Sequence, residues 1–259
     1  MSRLAIEPSF VAAFEQLGLR TCADVVRYFA RYETIESDTV LVKPAVLSHA
    51  DGTPVAVFYK QYEYAAGSWN YLWRRSKARC EFDHYAVFAR LGIATADRIA
   101  WGEERDGIGR LRRAFIVTRA IPDALPLPQF LAEKTPDRKT RAELLQQLAA
   151  MTRRTHEARF FHRDLVARNV LVTRSESGQL KLWWIDCPRG GFAEFATRAG
   201  AIKDLASLDK SAVQNQFTRS ERLQFFLLYR GVKCLDRQNK MLAREIQAYR
   251  QQRWPDDWK

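Results

Sequence analysis

The sequence predicts an α+β chain in two parts, and three observations carry that expectation. Between residues 40 and 118, segments rich in β-forming residues surround one strong helical pattern. After residue 135 helical periodicity dominates. Set into that helical part is a polar loop, residues 161–172, followed by a hairpin that ends on an acid. Strands first and helices after is the order of an α+β fold.

The elements follow in chain order. Phe10, Phe14 and Leu17 form a helical stripe, and Gly18 stands where a C′ residue belongs. Thr21-Cys22-Ala23-Asp24 has the form of a capping box and opens a second short helix. Residues 1–34 therefore read as a helical extension whose job is packing. Val40–Ser48 and Thr53–Tyr62 read as strands joined at Ala50-Asp51-Gly52, a hairpin signal. A helix is expected from Ser76 to Leu91, closed by Gly92, and further strands lie over Ile93–Gly102 and Arg113–Thr118. The proline-rich run Ile121–Pro128 marks the boundary between a smaller lobe, residues 35–120, and a larger one, residues 121–259. Thr135-Pro136 reads as a cap followed by Pro at N1, starting a long helix to His156. More helices are expected from Ala201, over Ser220–Tyr229, and over Lys233–Trp254, the last strongly basic and read as a solvated outer face.

The loop carries the chemistry. Phe161-His162-Arg163-Asp164 is followed by Asn169, five positions after the Asp. H-R-D with that Asn is the catalytic-loop pattern of protein kinases. A carboxylate there accepts a hydroxyl proton and orients the attacking oxygen, while the amide oxygen reaches a Mg²⁺ ion on the nucleotide phosphates. Val170–Val172 and Gln179–Ile185 then form a hairpin ending on Asp186, 17 positions beyond Asn169. That is where such a fold keeps its second metal ligand. Upstream, Val55-Ala56-Val57-Phe58-Tyr59-Lys60 ends a strand on a Lys, as in the V-A-I-K element whose ammonium holds phosphate oxygens. Glu81, 21 residues on and early in the predicted helix, is the candidate to pair with Lys60. Asp83 is its rival, since helix phase alone does not choose between them. Backbone groups near Arg119 and Ala120 are candidates to meet an adenine edge, although a plain linker reads the same way.

With these residues on the page, the chain resembles the bacterial lipopolysaccharide kinases, the heptose/Kdo kinase family, which share the protein-kinase fold. The similarity runs from about Val40 to Tyr229. It rests on Tyr59-Lys60, Cys80-Glu81-Phe82, Leu91-Gly92-Ile93 and Gly102. It continues through His156, His162-Arg163-Asp164, Ile185-Asp186 with Arg189, Lys203-Asp204-Leu205-Ala206, and Arg222-Leu223-Gln224-Phe225-Phe226 with Tyr229. The resemblance implies a two-lobed fold with an antiparallel-sheet N-lobe carrying one main helix and a mostly helical C-lobe. It implies ATP and Mg²⁺ as cofactors and a sugar of the lipopolysaccharide core, an anionic glycolipid, as acceptor. Asp164 would be the base, Asn169 and Asp186 the metal ligands, Lys60 and Glu81 the phosphate-positioning pair. Asp204 would be a buried acid bracing the loop. Two departures stand out. No glycine occurs around Glu33–Thr39, the segment expected over the phosphates, and Asp186-Cys187-Pro188 replaces D-F-G, so Phe-driven switching is not expected. The alternatives are a protein Ser/Thr or Tyr kinase, against which the missing A-P-E motif counts, and a nucleotide-binding pseudokinase at the membrane surface.

Composition bounds the partners. No run of about eighteen apolar residues appears, so no membrane span is expected. Residues 1–10 include Glu7 and Pro8 and do not read as a signal peptide. Four separated cysteines without metal-ligand spacing read as free thiols of a reducing cytoplasm. The net charge of +12 suits an anionic partner. With no zinc-finger, RNP or helix-turn-helix pattern, nucleic acid is not the expected one. The expected location is cytoplasmic with a peripheral contact to the inner membrane surface. The stretch Trp69, Tyr71, Trp73, Arg74, Arg75, Lys77 and Arg79 suits phosphate and carboxylate groups or a membrane–water interface. A solvated basic turn with its Trp side chains folded into the core is the competing reading.

Overall fold

The computed structural model describes residues 1–35, 40–49, 51–64 and 69–255. Residues 36–39 of the segment expected over the phosphates, and Ala50 of the first hairpin, lie outside the described residues. The chain divides into two compact units, Met1–Val87 with Ala96–Ile121, and Phe88–Thr95 with Pro122–Lys259.

The first unit holds β1 (Ser2–Ile6), α1 (Val11–Gln16), α2 (Cys22–Ala30), β2 (Val40–Ser48), β3 (Pro54–Glu63), α3 (Lys77–Arg90) through Val87, β4 (Arg98–Arg105) and β5 (Leu111–Arg119). Alternation sets the sheet. In β3, Val55, Val57 and Tyr59 are buried while Ala56 and Phe58 are not, the pattern of a strand with one face on a core. All pairings are antiparallel, in the order β1-β4-β5-β3-β2. The segment read as purely helical thus begins with a strand: Ser2–Ile6 pairs with residues 100–104 of β4. Its five residues are too few for periodicity to reveal, and the edge of β4 supplies the bonds that fix it.

The helices α1 and α2 cover one face of the sheet. Thr21 caps α2 through a complete box with Asp24, and Phe29 stacks on Tyr59 with ring centroids 4.5 Å apart. Phe10, Phe14, Cys22 and Val25 join Leu47, Val57, Ile99 and Phe115 in the core. Each fully buried Phe contributes roughly 1.5–3 kcal/mol. Gly102 lets this layer close: a Cβ there would lie 2.5 Å from the Phe115 ring and 2.8 Å from Cys22 Sγ.

The second unit holds β6 (Leu125–Pro126), α4 (Leu127–Lys134), α5 (Arg138–Glu157), β7 (Phe160–Phe161), β8 (Val170–Arg174), β9 (Leu180–Trp184), β10 (Gly191–Phe192), α6 (Thr197–Gln214), α7 (Arg219–Arg230) and α8 (Arg237–Arg253). The last turn of α3 and the loop to Thr95 cluster with it. Proline density hid α4, because Pro128 sits in its first turn, where a missing N–H costs nothing. Thr135 is the left-handed residue ending α4 (φ 38°), and Asp137, not Thr135, caps α5 by accepting from Thr140 N–H. The buried stripe of α5, Leu144, Leu145, Leu148, Ala149 and Thr152, follows the 3.6-residue period. Ala149 meets Leu205, Ala206, Tyr229, Leu242 and Ile246 in one cluster.

One ion pair ties α5 to α7. Glu221 completes the capping box of α7 with Thr218 and also receives both Nε and Nη2 of Arg141. Arg141 above all holds its carboxyl down at about 2, well below the usual range. A depressed carboxyl stabilises the fold above its unfolded pKa, and that contribution is lost as pH falls through the folded value. Glu221→Gln should therefore lower the melting temperature at pH 7 and flatten the loss of stability between about pH 4.5 and pH 2. Thermal melts across that range test it, and an unchanged acid limb would remove Glu221 from the account.

Candidate active site

The first unit organises a cation around a buried carboxylate. Lys60 lies on β3 and Glu81 early on α3, and Lys60 Nζ is 3.2 Å from Glu81 Oε2. Glu81 is 2% exposed. Two tyrosines complete its solvation: Tyr62 OH donates to Oε2 at 2.7 Å and Tyr85 OH to Oε1 at 2.8 Å. A buried carboxylate left without such partners would cost several kcal/mol. Asp83 turns instead to Arg75, at 3.0 Å. Neither tyrosine hydroxyl was foreseen, yet the spacing allowed it. Tyr62 is two residues after Lys60 on a strand, and Tyr85 four after Glu81 on a helix, so each pair shares a face.

The backbone N–H groups of Arg119 and Ala120, candidates for an adenine edge, are already engaged. Arg119 N–H donates to Asp97 C=O at 2.9 Å, and Ala120 N–H to Ala56 C=O at 2.8 Å. Strand continuation claims them, so these two residues keep only carbonyl acceptors for such a role.

In the second unit the loop after β7 is held from behind. Asp204, on α6 and 1% exposed, accepts His162 N–H at 2.8 Å and Arg163 N–H at 2.7 Å. His156 Nε2 lies 3.2 Å from the same carboxylate, and His156 Nδ1 lies 3.0 Å from Tyr229 OH. Burial pushes the Tyr229 hydroxyl up to about 12, so it stays protonated and donates. His156 thus bridges the phenol on one ring nitrogen and the Asp204 carboxylate on the other. Arg163 takes a left-handed backbone (φ 63°), a conformation costing about 1–3 kcal/mol that the clamp on its N–H sustains.

The loop's own residues are arranged by further bonds. His162 stacks on Phe88 and meets Trp184 edge-on. Its Nε2 faces Ile185 C=O at 3.2 Å, which fixes the proton there. Burial lowers its pKa, so the ring is neutral, and Nδ1 is a buried acceptor without a partner among the described residues. Asn169 is 3% exposed and donates Nδ2–H to Asp164 C=O at 2.9 Å. Ile185 N–H donates to Asn169 C=O at 3.0 Å, extending the β8–β9 pairing by one step. Asn169 and Asp186 therefore lie at the same end of the hairpin. Asp186 also has a left-handed backbone, φ 58°. Behind it, buried Cys187 points its thiol at His162 C=O, 3.7 Å away.

With Asn169 Nδ2 bound to the backbone, Oδ1 is the end that suits a cation. Among the described residues no group of three or more His, Cys, Asp or Glu could hold a metal ion. An amide oxygen and one carboxylate are nevertheless a fit for Mg²⁺. That ion keeps waters and phosphate oxygens and needs only one or two protein carboxylates.

An antiparallel sheet carrying a Lys–Glu pair, and a helical unit carrying H-R-D, Asn and a hairpin acid, define the protein-kinase-like class. The whole chain matches the solved structure of WaaP in complex with acyl carrier protein at a TM-score of 0.69 and 22% identity, covering 97% of each chain. The sequence of the lipopolysaccharide kinase (Kdo/WaaP) family matches residues 60–229, well over half of the chain, and the chain belongs to that family. Among its relatives, the lipopolysaccharide core heptose(I) kinase WaaP of Escherichia coli (strain K12) is 28% identical over 149 residues, 55% of this chain and 56% of that one. The 3-deoxy-D-manno-octulosonic acid kinase of Haemophilus influenzae (strain PittEE) is 26% identical over 140 residues, 51% of this chain and 56% of that one. The matched region spans about half the length of these curated relatives.

The clamp on the loop makes a stability prediction. Asp204→Asn keeps one acceptor oxygen and turns the other into a donor, so one N–H of the His162–Arg163 pair loses its partner. An unmet buried donor costs about 1–3 kcal/mol. Urea unfolding should show that loss as a lower midpoint at unchanged slope, and wild-type stability in this variant would show that the clamp does not bear on the fold.

Proposed function

We propose that the chain is an ATP-dependent phosphotransferase whose acceptor is a sugar hydroxyl of the lipopolysaccharide core, a heptose or Kdo unit as in the relatives' names. Family membership supports the class of reaction. The observation that carries the reading is the joint placement of Asp164, Asn169 and Asp186 through the Asn169–Asp164 and Ile185–Asn169 bonds.

In this reading Lys60 binds phosphate oxygens of ATP, and Glu81, with Tyr62 and Tyr85, holds the ammonium in place. Asn169 Oδ1 and Asp186 hold Mg²⁺, which when bound neutralises charge on the phosphates. Asp164 orients the acceptor hydroxyl and takes its proton as the oxygen attacks the γ-phosphorus, while the bond from that phosphorus to the β–γ bridging oxygen breaks and ADP leaves. Little covalent work falls to the protein; positioning does most of it. Among the described residues no helix is long and apolar enough to cross a membrane. For an enzyme of core glycolipid the proposed location is the cytoplasmic side of the inner membrane, held peripherally.

Acyl carrier protein is a further proposed partner, because the solved WaaP structure is a complex with it. A cavity of about 630 Å³ in the second unit supports it. Leu145, Leu148, Leu208 and Phe226 are among the apolar residues that line it, and Arg222 and Arg250 bracket Asp209 beside it at 2.7 and 2.6 Å. An acyl chain fits that chemistry.

Transfer of labelled γ-phosphate from ATP should go to core glycolipid and not to protein substrates. Label appearing only in protein would overturn the acceptor assignment. Asp164→Asn should lower kcat by about 10²–10⁴-fold and leave nucleotide affinity nearly unchanged. Asp186→Ala should abolish turnover and weaken Mg·ATP binding, so normal ATP binding and hydrolysis in that variant would refute the metal assignment. Lys60→Met should weaken phosphate positioning and, by leaving buried Glu81 without its cation, also lower the melting temperature, while Lys60→Arg should keep more of both, as read by thermal melts beside kinetics.

A further inference from the structure

The strongest unexplained surface lies in the first unit, on the turns around Arg105. That guanidinium bonds three backbone carbonyls: Tyr71 C=O at 3.2 Å, Gly109 C=O at 2.9 Å and Arg74 C=O at 2.6 Å. Its Nε also meets buried Glu103 at 3.1 Å. One buried ion pair thus fastens the stretch 69–74 to the turn between β4 and β5. Two indoles stand on this platform. Trp73, in a left-handed backbone conformation (φ 59°), rests on Gly109, where a Cβ would lie 3.3 Å from its ring. The next residue, Arg110, sets its guanidinium over the Trp69 ring at 5.1 Å. Neither ring enters the core: Trp73 is 77% exposed and Trp69 61%. Ile108, beside Gly109, is 53% exposed. The rare backbone conformation at Trp73 thus leaves most of a large apolar ring facing solvent, with Gly109 as its footing.

The fringe is basic. Arg74, Arg75 and Arg112 are exposed and Arg110 is half-buried. The carboxylates paired with them are Asp83, 3.0 Å from Arg75, and Asp106, 2.9 Å from Arg110 and 3.3 Å from Arg112. The patch is therefore apolar at its centre and net positive at its rim. Trp is the side chain best suited to the headgroup level of a bilayer, with its ring among the upper acyl segments and its N–H in the polar layer. Arginine beside it adds attraction to anionic lipid. We infer that Trp69, Trp73 and Ile108, with Arg74, Arg75, Arg110 and Arg112, form the surface by which this chain docks on an anionic bilayer. The inference rests on the proposed peripheral location and names the surface responsible.

Co-sedimentation with phosphatidylethanolamine–phosphatidylglycerol vesicles, without nucleotide or acceptor, tests this independently of phosphotransfer. The wild-type chain should bind, less so to neutral phosphatidylcholine vesicles, and less as salt shortens the Debye length below about 8 Å. The variant W69S/W73S changes only exposed rings, so its melting temperature should hold while its vesicle binding falls roughly tenfold or more. Equal binding by variant and wild type, or no binding by the wild type, would overturn the inference. So would a dimer of the wild type that the variant dissolves on size exclusion, which would make the patch a self-association face. Vesicle binding with no phosphotransfer would leave this surface standing and sink the proposed function instead.

Discussion

A single buried carboxylate fixes the working loop of the second unit. Asp204 comes from α6, more than forty positions after the residues it holds, and accepts two successive N–H groups of the loop. Without it, His162 and Arg163 would bury donors with no acceptor, and the left-handed turn at Arg163 would relax. The carboxylate is in turn shielded by His156, whose other nitrogen is capped by Tyr229 from α7. Three helices thus converge on one acid, and the geometry of Asp164 and Asn169 follows from that convergence.

The first unit repeats the idea with different chemistry. Glu81 is as buried as Asp204, but its partners are an ammonium and two phenols rather than backbone amides. Amides give Asp204 directional bonds that set a turn. Hydroxyls and a flexible ammonium give Glu81 a solvated pocket that sets a charge. Each arrangement suits its target, one a backbone path and the other the position of a cation.

The candidate site residues and their pairing were the legible part of the sequence. H-R-D with Asn and the hairpin acid lie at separations imposed by one loop and one hairpin, which survive in a linear string, while Lys60 and Glu81 were legible from their places at a strand end and early in a helix. The neighbouring supports were not, because nothing local announces that Tyr229 caps His156 or that Arg105 ties two turns together. Local rules also misled where two signals overlapped. The proline-rich run read only as a lobe boundary, and α4 at its end went unseen because Pro128 occupies a permitted first-turn position. Ser2–Ile6 was too short to show alternation and became a strand only because β4 offered an edge. A sequence does not reveal how far a strand's pairing continues, and at Arg119 and Ala120 that pairing engages both N–H groups.

The segment after Asp186 has a consequence of another kind. Cys187 is buried against His162 C=O, and Gly190 passes so near that a Cβ there would lie 2.4 Å from the Cys187 sulfur. A side chain at position 190 would therefore press on that sulfur and, through Cys187, on the carbonyl of His162 in the neighbouring loop.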